Sequence, residues 1–162
     1  MSTTATNDVS FGTGAGVGAA AWVVGVVLTF IIGQLGISQG LSFLIAMAPI
    51  QGSLLAYQGI HTWFISGTGG GGIFMILTLV PILILIGAGY YVASQERGDN
   101  GFMTGASVAA GYLAMTVLGL VILLVMGGGA INIVDALIGI ILAGVVFPVV
   151  FGGIGGLVAE QA

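Results

Sequence analysis

The chain contains one histidine, His61, within the stretch "LLAYQGIHTWFISGTGGGG", Leu54 to Gly72. Histidine alone among unperturbed side chains changes charge near neutral pH. On a helix over Ile50 to Ile65, Gln51, Gln58 and Thr62 recur at spacings of seven and four and form one polar stripe, which Tyr57 and His61 border. Two readings of His61 follow. In the plainer one it is an interfacial histidine bonded to water or to a neighbouring carbonyl. In the sharper one it forms a polar path with Tyr57 and Gln58, as a proton-linked or ligand-contacting residue on a pore or cleft.

Asp135 is the remaining candidate for that path. Near the start of the fourth apolar run, a helix dipole and water stabilise its charge if it lies in the first turn. Deeper in the run it would be a functional residue, because buried charge is costly and faces a cavity.

Other chemistry is poorly supplied. Without cysteine there are no disulfides, thiolate metal sites or cysteine nucleophiles. One His with no carboxylate at ligand spacing holds no metal, and no cofactor signature is present. One His and five acids assemble neither a nucleophile with its base nor a carboxylate pair, so the chain is not expected to be an enzyme. A single Arg and no Lys leave no basic patch for nucleic acid.

The elements that must position these residues are apolar. Hydrophobic residues make up 58% of the 162 and charged residues 4%, with a mean hydropathy of +1.25. Such a chain cannot cover a water-facing surface, so membrane lipids are its solvent. The expected fold class is all-α, a polytopic membrane protein formed by residues 1–162 as one integral membrane domain. Runs of about 20 apolar residues mark membrane-spanning helices. Four are found, at Gly14 to Gly33, Ile73 to Ser94, Phe102 to Met126 and Ile131 to Val158. Pro81 and Pro148 lie inside the second and fourth and are candidate kinks, static or hinge-like. Gly127 to Gly129 reads as a tight hairpin between the third and fourth. The first run has no Lys or Arg before it and exceeds a signal-peptide core, so it is read as a span.

Leu41 to Ile65 is broken by Pro49 and carries Ala56, Ile60, Trp63 and Phe64 opposite its polar stripe. It reads as an interfacial amphipathic helix; a re-entrant loop or a fifth span are the alternatives. Arg97, in the connection "QERGDN", is the topology determinant. Loop cations favour the cytoplasm, which places both termini of this cell-membrane protein inside.

"FGTGAGVGA" (Phe11 to Ala19) and "FMTGASVAA" (Phe102 to Ala110) agree at six of nine positions. Pro81 and Pro148 each stand eight residues before a glycine, Gly89 and Gly156, and the runs close with "VASQ" and "VAEQ". This suggests two helical hairpins related by a pseudo-two-fold axis along the membrane normal, an arrangement some transporters use. Glycines four apart, at Gly14 and Gly18, Gly101 and Gly105, and Gly152 and Gly156, suggest glycine-rich helix packing.

Taken in order, "YQGIHTWF", the second run around Pro81 with "GAGYYVAS", the "GASVAAGY" opening of the third and the ending "FPVVFGGIGG" resemble a haloarchaeal family of small uncharacterised four-helix integral membrane proteins. Its members are often labelled "transporter" without a demonstrated substrate. Around His61 the chain departs from that family's order, with Gly59 and Ile60 before the histidine and Trp63 after it.

Two functions are therefore expected. One is a small transporter or channel of unknown substrate, with a path lined by Tyr57, Gln58, His61 and Asp135. The other is an accessory or structural membrane subunit with no transport activity. Both imply a homo-oligomer or a partner membrane protein. The repeat, the two prolines and the family label favour the first; the few polar residues in the spans, Thr29, Thr78 and Thr116 among them, count toward the second, because a selective path needs lining groups.

Overall fold

A computed structural model of the chain describes residues 11–37, 39–66, 72–96, 100–126 and 133–162, with the side chains of residues 62–66, 72–76, 133 and 135 left undescribed. In chain order the helices are α1 (Phe11–Gln34), α2 (Gln39–Met47), α3 (Pro49–Ser66), α4 (Gly72–Gln95), α5 (Gly101–Ala106), α6 (Val108–Val125), α7 (Ile133–Ile141) and α8 (Phe147–Glu160). A π-helical turn, Leu142–Val146, joins α7 to α8. No strand occurs among the described residues.

Four stretches are long and apolar enough to span a membrane: Phe11–Gln34, Leu77–Gln95, Gly101–Val125 and Ala136–Glu160. They correspond to the four runs read from hydropathy, with ends shifted by a few residues. The third span is composite. Asn100 caps α5, its side-chain oxygen accepting from the Met103 N–H at 3.0 Å, and the helix restarts after Ser107. The glycine turn at 127–129 and Arg97 lie outside the described residues.

The helices pair in a regular way. A Cβ placed on Gly14 would strike Ser107, on Gly18 the Val108 carbonyl, and on Gly119 the Trp22 ring, so α1 and α6 run parallel in close contact. α5 lies antiparallel to α8, with Gly101 facing Gly156 and Glu160, and Gly105 facing Gly152. Gly89 of α4 meets the Gly152 backbone, and Gly155 meets α4 between Ile86 and Tyr90. Residues four, seven and eight after Pro81 (Leu85, Ala88, Gly89) are buried, as are those four, seven and eight after Pro148 (Gly152, Gly155, Gly156). Counterpart helices thus pack on one another through matching faces, as two hairpins about a common axis would. Where both backbones lack a Cβ they approach closely enough for dispersion contact, which replaces hydrophobic exclusion when the solvent is lipid.

Residues 41–65 are the element that departs from the reading above. α2 and α3 meet at Ala48, where the fixed ring geometry of Pro49 starts a new helix. Ser42 of α2 donates to the Gly33 carbonyl at the end of α1 at 2.7 Å. Along α3, Gln51 donates to the Met126 carbonyl at 2.8 Å, Gln58 to the Thr116 carbonyl at 3.0 Å, and His61 meets the Tyr112 hydroxyl at 3.1 Å. The partners fall back along α6 as α3 advances, so α3 runs antiparallel to α6 from its end inward. Tyr112 is the twelfth residue of the span Gly101–Val125, close to its middle. Of the polar stripe expected to face water, Gln58 is therefore turned into the bundle with the bordering Tyr57 and His61 and with Ala56 and Ile60, while Gln51 is half-buried and the Thr62 side chain lies outside the described residues. The physical reason is partner supply: the α6 carbonyl and hydroxyl groups satisfy Gln58 and His61, so these side chains need no water.

Candidate functional site

Three helices and the turn before α8 build the site. α3 presents Tyr57, Gln58 and His61; α6 presents Tyr112 and Thr116; α1 contributes Trp22; and Phe147 closes it at the start of α8. Tyr57, His61, Tyr112 and Thr116 are fully buried, and Trp22, Gln58 and Phe147 nearly so. Tyr112 and Thr116 stand four residues apart, and Gly119 continues the same face three residues on, leaving room for the Trp22 ring and the Gln58 amide.

The hydrogen bonds form a directed chain. His61 Nδ1 lies 2.9 Å from the Tyr57 backbone carbonyl, one helical turn earlier. A carbonyl only accepts, so Nδ1 carries the ring proton and Nε2 of the neutral imidazole is a bare acceptor. The Tyr112 hydroxyl, 3.1 Å from Nε2, must then be the donor. Having spent its proton, the Tyr112 oxygen accepts from the Tyr57 hydroxyl at 2.5 Å. The order is thus Tyr57 O–H to Tyr112 O–H to His61 Nε2, with His61 Nδ1–H returning to the backbone of Tyr57.

Aromatic rings wall this chain from lipid. Trp22 meets Tyr57 edge-on with centroids 6.1 Å apart, and Phe147 meets His61 at 4.9 Å and 78°. Phe147 is placed by the π-helical turn, in which its N–H reaches back five residues to the Leu142 carbonyl. Pro148 follows directly, and its ring would crowd the Gly144 carbonyl in a regular α-helix, so a widened turn relieves the clash. Two buried polar atoms beside the chain have no hydrogen-bond partner, Trp22 Nε1 and Thr116 Oγ1.

Of the residues singled out in the sequence, the structure brings Tyr57, Gln58 and His61 together. Asp135 is not with them. It is the third residue of α7, twelve residues before Phe147 in a nearly continuous helix, or about 18 Å along its axis; its side chain lies outside the described residues. Pro81 sits buried within α4, and Pro148 follows the widened turn. Sequence reasoning missed Tyr112, Trp22 and Phe147 as members of the site, and had Thr116 only as a polar residue in a span. The signal that could have found them is the succession Tyr112, Thr116, Gly119 on one face of a span otherwise made of aliphatic residues.

Beside the site, an open groove of about 450 Å³ runs between α1, α3 and α6, with Trp22, Phe30, Leu54 and Ile122 among its almost wholly apolar walls. No group of three His, Asp or Glu side chains suited to a metal ion occurs among the described residues.

No curated protein and no solved structure matches the chain. Residues 50–162, from the start of α3 through the last span and including every α3, α6 and α8 member of the buried chain, match a protein family, and on that match the protein belongs to the Family of unknown function (DUF7978).

Proposed function

We propose that this protein is a small transporter or channel of a cell membrane, acting as a homo-oligomer or with a partner membrane protein, whose path passes Tyr57, Gln58 and His61. One observation carries the reading: α3, a helix apart from the four candidate spans, brings a histidine, a tyrosine and a glutamine against the middle of the third of them. Ionisable groups at that depth are costly and mark substrate or ion routes, and irregularly placed helices persist there only when they line protein or a cavity. On this reading the protein is not an enzyme, binds no cofactor, metal or nucleic acid, and keeps both termini in the cytoplasm. The haloarchaeal source and the transporter label suggested by the sequence resemblance belong to the same reading.

Reconstitution in liposomes and a flux panel of small ions and neutral solutes tests it. A flux lost in His61→Ala supports the path; no flux for any solute with correctly folded protein refutes it. Orientation is checked with an impermeant maleimide on Asn100→Cys and Gly70→Cys in intact cells, where labelling at Asn100 alone would reverse the topology.

The second reading is an accessory subunit, with its glycine faces holding the helices together and its exterior meeting other proteins. It is favoured by the apolar character of the groove and by the small number of polar groups in the spans. Native mass spectrometry of protein extracted from its own membrane separates the two: a stoichiometric foreign subunit supports this one, a closed homo-oligomer the first.

A further inference from the structure

We infer that the ion handled at the buried chain is the proton, delivered through Tyr57 and Tyr112 to His61 Nε2. This rests on the transport reading and names its ion. The directed hydrogen bonds leave one bare acceptor in the ring, His61 Nε2, because Nδ1–H is committed to the Tyr57 carbonyl and both phenols already donate. A metal cation would need several oxygen ligands with carboxylates among them, and the described side chains around His61 include none. Those facing it are Tyr57 on its own helix, Tyr112 on α6 and Phe147 on α8, while Trp22 of α1 packs behind Tyr57. No cationic side chain occurs among the described residues around it to hold an anion either.

The step balances as follows. A hydronium ion at the outer side of the Tyr57 hydroxyl gives a proton to its oxygen and leaves as water. The original Tyr57 O–H bond breaks as an O–H bond forms on Tyr112. The original Tyr112 O–H bond breaks as N–H forms at His61 Nε2. Both phenols end neutral, the imidazole ends as imidazolium, and the two hydrogen bonds of the Tyr112 hydroxyl have reversed while Nδ1–H still donates to the Tyr57 carbonyl. Tyr57 is the receiving end because the directed bonds begin there: its hydroxyl donates to Tyr112 and accepts from no described group. The imidazolium has no carboxylate partner among the described side chains, only the Tyr57 carbonyl, the Tyr112 oxygen and the surrounding rings, so burying its charge costs the closed packing of α3 part of its stability. Proton occupancy therefore disfavours the packed site, which is the property a proton-coupled path requires.

Because His61 is the sole histidine, ring-¹⁵N NMR of the protein in liposomes reports on it alone. At alkaline pH the expected spectrum is a single neutral tautomer with the proton on Nδ1, and on acidification Nε2 gains a proton. In parallel, liposomes holding a trapped pH dye receive an external acid jump. Internal acidification is expected in the wild type and to slow in Tyr112→Phe by about a hundredfold, the low end of what a positioned proton-transfer group contributes. Retention of the Nδ1–H tautomer shows that this variant is still folded. The proton proposal is overturned if the bare nitrogen is Nδ1, if Nε2 stays unprotonated across the acid range in folded protein, or if Tyr112→Phe acidifies as fast as wild type. A His61-dependent flux of some other solute under those outcomes would leave the transport reading standing without the proton.

Discussion

Tyr57 and Tyr112, 55 residues apart in the chain, share a 2.5 Å hydrogen bond between their hydroxyls in the middle of the helix bundle. The bond ties the inserted helix α3 to the third span and orders the chain that ends at His61. Removing the Tyr112 hydroxyl strips two hydrogen bonds at once and leaves both Tyr57 and His61 Nε2 short of a partner. Tyr112→Phe should therefore destabilise the fold by about 1–3 kcal/mol, since single hydrogen bonds inside membranes are worth about 0.6–1.7 kcal/mol. Tyr57→Phe removes one bond and should cost about half as much. Reversible unfolding in mixed micelles measures both.

Glycines at and away from helix contacts should respond in opposite directions. A Cβ on Gly18 would run into the Val108 carbonyl, which is backbone and cannot swing aside, whereas one on Gly87 meets nothing. Gly18→Ala is expected to destabilise by about 1–3 kcal/mol through overpacking. Gly87→Ala, on an exposed helix surface, should be neutral or stabilising by up to about 1 kcal/mol. Thermal unfolding of the two variants in the same detergent makes the comparison.

The widened turn before α8 can be tested through its proline. Pro148→Ala restores an N–H that can reach the Gly144 carbonyl, removes the ring that crowds it, and allows a regular α-helix through residues 142–148. Because a residue moved from a π turn to an α turn changes its direction, Phe147 should leave its place 4.9 Å from His61. The expected result is a changed His61 ring-¹⁵N spectrum with helix content by circular dichroism unchanged. An unaltered spectrum would mean that the turn is held by packing against Leu113 and not by the proline.

At the other end of the bundle, the Glu160 carboxylate accepts from the Gly101 N–H at 3.0 Å, so the end of the last span caps the start of the third. An acidic group there complements the positive end of a helix. Glu160→Gln keeps an acceptor and should lose only about 0.3–1 kcal/mol, whereas Glu160→Ala should lose about 0.5–2 kcal/mol as a missing N-terminal cap does. Melting temperatures of both variants at low and high salt separate the charge from the hydrogen bond, because only the charge contribution is screened.

What the sequence determined by itself is one-dimensional. The number and approximate limits of the spans follow from the length of apolar runs, which the thickness of the hydrocarbon layer prescribes. The break at Pro49 follows from a single ring that fixes φ, and the buried faces of α4 and α8 follow the matched spacing after Pro81 and Pro148. The polar stripe of α3 was visible too, but its direction was not. A stripe of Gln and His is satisfied by water or by the carbonyl and hydroxyl groups of another helix, and periodicity is the same in both cases. Only the tertiary structure brought Thr116 and Tyr112 within reach of Gln58 and His61 across more than 50 residues, and so turned those two side chains inward. It also left Asp135 a dozen residues of helix away from Phe147, the residue whose ring adjoins the histidine it was grouped with.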